Sequence, residues 1–203
     1  MPIAHSSAKR QSILKSATAL FLEQGFQKAS MERIALNAPV SKATLYKYFD
    51  SKNELLAAVI SELSLILIET MNDVSMDTGS VENNLKKIAI VFVDLIYSAE
   101  ALAIYRLVIS ECHAFPELGE LVYNSGPQAA IELLDNFLKE ANKEAQLSVV
   151  NTQFSAEAFF SLLKGDFHFR CLVGMEPVPS RQKKDEYTDK VVQFYLQGIL
   201  YEQ

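Results

Sequence analysis

Residues 41–52, SKATLYKYFDSK, gather hydroxyl, ammonium and phenol groups in one short stretch. Such groups in a chain that is acidic overall suit recognition of an anion. Ser41 suits the N-cap of a helix, which puts Lys42, Ala43 and Thr44 in a first turn whose N–H groups and dipole favour phosphate. Ala43 is small enough for a base edge or a thymine methyl to come close. Tyr46 and Tyr48 carry hydroxyls that can reach phosphate oxygens, and Lys47 and Lys52 supply charge. The tyrosine rings could instead fill a small core, or serve both ends, ring packed and hydroxyl at a phosphate. Phe49, four residues after Leu45, belongs to the core.

Charge points the same way. The 203 residues carry a net charge of −6, yet residues 1–55 hold eight Lys/Arg against four acids (+4), and the rest eleven against twenty-one (−10). A basic front end on an acidic chain fits an anionic partner, although a merely solvated face would give the same count. Apolar residues make up 49% of the chain, enough for a sizeable core without disulfides or metals. Two cysteines far apart, Cys112 and Cys171, fit a reducing cytoplasm. The first residues, MPIAHSSAKRQ, lack the apolar stretch of a signal peptide. The most apolar run, residues 88–109, contains Asp94, Glu100 and Arg106, which argues for a buried helix rather than a lipid-spanning one. A soluble, cytoplasmic protein with no membrane partner is expected.

The elements that must position residues 41–52 are helical. No Val/Thr-rich alternating run argues for a strand. Ile13, Ala17, Leu20 and Phe21 share one face of a first helix that stops near Gly25. Ser30 caps a short second helix, Pro39 ends it, and Ser41 caps the third. Ser51 and Glu54 form a capping box that opens a long fourth helix, followed by a loop at residues 71–80. Val81, Leu85, Ile88, Phe92, Leu95 and Ala99 mark a seam expected inside a helical bundle. Pro116 and Pro127 open two more helices, another starts at Ser155 and ends at Gly174, and a last one carries Val191, Val192, Tyr195, Leu196 and Ile199. The expected fold is all-α.

Three short helices with a tight break between the second and third describe a helix-turn-helix, whose second member enters a DNA major groove. The run MERIALNAPVSKATLYKYFDSKNELLAAVI, with the preceding ILKSATALFLEQGFQKAS, resembles the DNA-binding domain of the tetracycline-repressor (TetR) family of bacterial transcription regulators. The likeness covers about residues 9–58 and includes Ile34-Ala35, Val40-Ser41, Thr44-Leu45-Tyr46, Tyr48-Phe49 and Ser51-Lys52. It implies that the third helix reads bases of a near-palindromic operator and that Lys52 touches phosphate. Candidate DNA contacts are Ser30, Ser41, Lys42, Ala43, Thr44, Tyr46, Lys47, Tyr48 and Lys52. Two positions depart from the family, which usually has Gly at Pro39 and at Ala43. Proline should exclude the positive φ that glycine permits, so a locally different turn is expected.

The resemblance also implies an architecture. A helix-turn-helix domain at 1–55 is joined by the long helix to a ligand-binding and dimerisation domain at 56–203. RLVISECHAFPELGELVYNSGPQ resembles the ligand domain of an efflux-related (AcrR/AefR-like) subgroup. Phe92, Ile96, Tyr105, Arg106, Ile109, Glu111, His113, Phe115 and Tyr123 are then candidate contacts for an apolar or amphiphilic small-molecule inducer, with plain core as their alternative use. Likewise, the last two helices would form a four-helix homodimer seam, with Leu163, Phe167, Val192, Tyr195 and Ile199 placed there and intrachain core as the alternative. Cys112–His113 and His168–Cys171 invite zinc, but adjacent helical side chains diverge too far to share an ion. No metal, cofactor or catalytic group is expected, and a repressor released by its inducer is the leading reading. Its rivals are a ligand-independent DNA-associated factor acting through a protein partner, and a small-molecule carrier or thiol enzyme with a vestigial DNA-binding domain.

Overall fold

Hydroxyl caps and apolar spacing organise the described residues into ten helices. The computed structural model describes residues 8–74 and 80–200, without the side chains at 66, 67, 71, 74, 199 and 200, and no strand occurs among them. Two compact units emerge. One holds the described residues up to Glu62 together with Ala103–Ser125; the other holds Leu63–Leu102 with the described residues from Gly126 on. The first therefore runs past residue 55 and takes in a segment from the middle of the chain.

In the first unit α1 (Ala8–Gln24) buries Ile13, Leu14, Ala17, Leu20 and Phe21 on one face. It ends at Gly25, whose φ of +81° glycine adopts without a Cβ clash. Ser30 caps α2 (Met31–Asn37) by accepting from the Arg33 N–H, and Ser41 caps α3 (Lys42–Tyr48) by accepting from the Thr44 N–H. Leu45 and Phe49 are both buried, Phe49 as the extended C-cap of α3. Before α4 (Lys52–Val74), Ser51 accepts from the Glu54 N–H while the Glu54 carboxylate accepts from the Asp50 N–H. α4 continues through residues 71–74, expected in a loop, because no glycine or proline interrupts it there; residues 75–79 lie outside the described part.

The apolar run at 88–109 is two helices rather than one. α5 (Val81–Ile96) ends at Tyr97, and Ser98 accepts from the Ala101 N–H to start α6 (Ala99–Glu111). α7 (Glu117–Ser125) completes the first unit. The second unit packs α5 against α8 (Pro127–Lys143), α9 (Thr152–Leu172) and α10 (Arg181–Leu200). Leu85, Ile88, Phe92, Leu134, Phe159 and Leu163 fill its centre. α9 starts at Thr152, not Ser155, because Asn151 caps it by accepting from the Phe154 N–H. Ser155 is instead buried, its hydroxyl 2.7 Å from that of Tyr195. No single helix among the described residues is long and apolar enough to cross a membrane.

Candidate nucleic-acid interface

α3 presents its first turn outward. Ser41, Lys42, Ala43, Tyr46 and Lys47 are exposed, whereas Leu45 is fully buried and Thr44 and Tyr48 are half-buried. The exposed face thus carries two cations, a phenol and a methyl, and the buried one anchors the helix. Ser41 also lies 2.8 Å from the Thr44 hydroxyl, which fixes both side chains at the cap. Lys42 pairs with Glu32 of α2 and lies 5.8 Å from the Tyr46 ring. The hydrogen bond to Glu32, and then its charge, raise the Lys42 ammonium above its ordinary value, and the same contact lowers the Glu32 carboxyl. Glu32 is the contact that sequence reading missed, since it sits ten positions away on another helix. Ser30 is engaged in capping α2, with its hydroxyl bound to the Arg33 N–H at 3.3 Å.

The turn between α2 and α3 corrects one expectation. Pro39 sits at φ +24°, so the positive φ that glycine would supply is kept. The Val40 N–H donates to the Ala35 carbonyl at 3.0 Å and the Ala38 N–H to the Ile34 carbonyl at 2.9 Å. The first is the six-to-one bond of a Schellman helix ending, which places its left-handed residue where Pro39 stands. A proline ring favours φ of about −65°, so this turn is strained.

Lys52, which the resemblance puts against phosphate, is engaged within the protein. Its ammonium turns inward and donates to the carbonyls of Phe26 at 2.7 Å, Ala29 at 3.0 Å and Gln27 at 3.1 Å. Those three bonds use all its hydrogens. The nitrogen also lies 4.5 Å from the centre of the Phe26 ring. Burial lowers this ammonium from its ordinary value, while the nearby Glu111 charge acts in the opposite direction.

The nine candidate ligand contacts fall in different settings. Phe92 and Ile96 lie in the core of the second unit, where the Phe92 ring packs on Phe160 at 4.7 Å. Arg106, Ile109, His113 and Tyr123 are exposed, and burial raises the Tyr105 phenol. Glu111 and Phe115 are committed to the head itself. Phe115 meets the Phe26 ring edge-on at 6.0 Å, and a Cβ at Gly25 would come within 3.1 Å of the Glu111 Oε1.

The residues expected at a dimer seam take the alternative use, intrachain core. Leu163, Phe167, Val192 and Tyr195 all lie in the core of their own chain, at most 9% exposed; the Ile199 side chain falls outside the described residues. Phe154 and Phe169 of α9 and Phe194 of α10 are instead each more than 60% exposed, and Phe154 lines a groove of about 590 Å³. Both faces of these helices carry apolar residues, so spacing alone does not tell an inward face from an outward one.

The α2–α3 pair, with a capped, outward-facing second helix, defines a helix-turn-helix DNA-binding protein. The model of the tetR family of bacterial regulatory proteins matches residues 13–59, and that of the C-terminal domain of AefR-like transcriptional repressors matches residues 83–198. The chain belongs to the TetR family and is a DNA-binding transcriptional regulator. It is 25% identical to the transcriptional regulator SrpR of Pseudomonas putida over 80% of this chain and 75% of that one. Among solved structures, the flavonoid-responsive regulator FrrA is 29% identical with a TM-score of 0.67, covering 94% of this chain and 96% of its own. A structure from Mesorhizobium loti assigned to the TetR family shares the fold, with a TM-score of 0.79 at 22% identity, over 96% of this chain and 98% of that one.

Proposed function

We propose that this regulator is a cytoplasmic repressor that binds a near-palindromic operator as a homodimer through α3 and is released by an apolar or amphiphilic small molecule. The observation carrying the reading is the exposed Ser41–Lys42–Ala43 turn on a helix anchored by buried Leu45. One such helix spans only a few base pairs, so specificity calls for two heads about one helical turn apart or a multiple of it. The exposed Phe154, Phe169 and Phe194 supply the candidate seam between copies. Residues 1–55 and 56–203 remain the proposed functional division. The flavonoid response in FrrA's name and the repressor family matched by residues 83–198 support release by a small molecule. An inducer works only if it binds the DNA-incompetent state more tightly.

The test joins assembly to binding. Replacing Phe154 and Phe194 together with Asp should leave the helical circular-dichroism signal intact, because both side chains are already largely in water. The expected result is a monomer by sedimentation that loses specific operator binding yet keeps salt-sensitive affinity for random duplex. A double variant that stays dimeric and binds the operator at wild-type strength would overturn this seam.

A further inference from the structure

The inward turn of Lys52 leaves open what the residue does for a DNA-binding head. Its three acceptors, Phe26, Gln27 and Ala29, lie in the segment joining α1 to α2. That segment leads directly into Ser30, the cap of α2, and so sets where the helix-turn-helix pair begins. Lys52 is also the first residue of α4, so its ammonium ties the start of the long helix to the start of α2. The same segment is touched from a second side. Phe26 is 2% exposed and packs edge-on against Phe115, which follows the end of α6. The Glu111 carboxylate closes over Gly25 and lies near enough to Lys52 for their charges to interact. The Phe115 N–H donates to the Glu111 carbonyl at 2.9 Å, so the two side chains come from one tight corner.

We propose that Lys52 is a positioning residue rather than a phosphate contact, and that the Glu111–Phe115 corner controls operator affinity by seating the α1–α2 segment that Lys52 holds. The inference rests on the reading that α3 binds an operator. It assigns Glu111 and Phe115 to transmission instead of ligand contact. A shift of the corner removes the Phe115 edge from Phe26 and the Glu111 charge from Lys52 together, which loosens the segment that sets the start of α2. Affinity for the operator falls without any loss of a phosphate contact.

The experiment measures binding of the full-length dimer to a duplex recovered by selection from a random-sequence pool, and to unselected duplex, across a series of salt concentrations. Lys52→Met and Phe115→Ala should each weaken the selected duplex by roughly 2- to 30-fold, the range of coupling through contacts remote from a ligand. The slope of log affinity against log salt should stay at its wild-type value, and unselected duplex should bind as before. Phe115→Leu should recover most of the loss. The double variant should lose less than the product of the two single losses, since both act through one segment. The proposal is overturned if Lys52→Met lowers the slope by about 0.9, the signature of one lost phosphate contact. It is equally overturned if Phe115→Ala and Glu111→Gln both bind the selected duplex like wild type. Should Lys52→Met fail to fold, the Phe115 and Glu111 variants decide the matter. If wild-type protein enriches no duplex at all, the operator reading itself is at fault.

Discussion

The α1–α2 segment and the kink in α9 face the same problem, carbonyls that regular helix bonding leaves to other donors, and solve it with different chemistry. Near the head's surface a charged group gathers three carbonyls, those of Phe26, Gln27 and Ala29, around the half-buried Lys52 ammonium. Inside the second unit the chain leaves helical geometry at Gly165, at φ +53° and ψ −167°. There two neutral phenols serve. Tyr97 donates to the Lys164 carbonyl at 2.7 Å, with that of Leu163 at 3.3 Å, and Tyr187 donates to Leu162 at 2.7 Å. The difference follows from desolvation. A fully buried ammonium would lose its hydration for three neutral acceptors, whereas a phenol gives up little. Burial accordingly raises both phenols and lowers the ammonium. The kink is thus held by neutral groups of the core, and the head's tie by a half-buried charge.

Substitutions sharpen this contrast, beginning with the largest effect. Gly165→Ala should destabilise the protein by about 2–4 kcal/mol, since positive φ is strained for alanine and its Cβ would run into the Tyr187 hydroxyl. Denaturant unfolding followed by far-UV circular dichroism measures it; a stability equal to wild type would mean that α9 runs straight. Tyr97→Phe comes next, with about 1–3 kcal/mol lost as buried carbonyls go unbonded. Lys52→Met should cost less, about 1 kcal/mol or under, because water reaches part of its site. Equal costs for these last two would erase the contrast between the interior and the surface solution. Pro39→Gly should have an effect no larger and of the opposite sign, a gain of at most about 1 kcal/mol from relief of a positive φ. A loss there would place Pro39 at an ordinary proline φ, where glycine only adds freedom to the unfolded chain.

Local signals were the legible ones. Ser30, Ser41 and Ser51 each bond an N–H three residues ahead, so the three starts in the head could be read from short patterns. Ser98 does the same for Ala101 and was passed over because the apolar run around it reads as unbroken helix. Gly165 stood inside a helical pattern as a visible irregularity, but its partner tyrosines lie on α10 and beyond the end of α5. Lys52 and Phe26 are 26 positions apart, and no spacing rule joins them. The apolar surplus of α9 and α10 was visible, yet burial against α5 and burial against another copy ask for the same residues. Only the packed chain shows that Val192 and Tyr195 face inward and Phe194 outward.

The central claim is that the first turn of α3 reads bases. Binding-site selection with wild-type protein and with Lys42→Ala tests it most directly, because Lys42 is exposed there, with Glu32 and the Tyr46 ring as its neighbours. The expected wild-type result is an inverted repeat. Lys42→Ala should relax preference at one position of each half-site, at a cost of about 1–3 kcal/mol for that contact. A wild-type pool without a motif, or a motif that keeps its full preference at every position when Lys42 and then Ala43, Thr44 and Tyr46 are replaced, would contradict the assignment of α3.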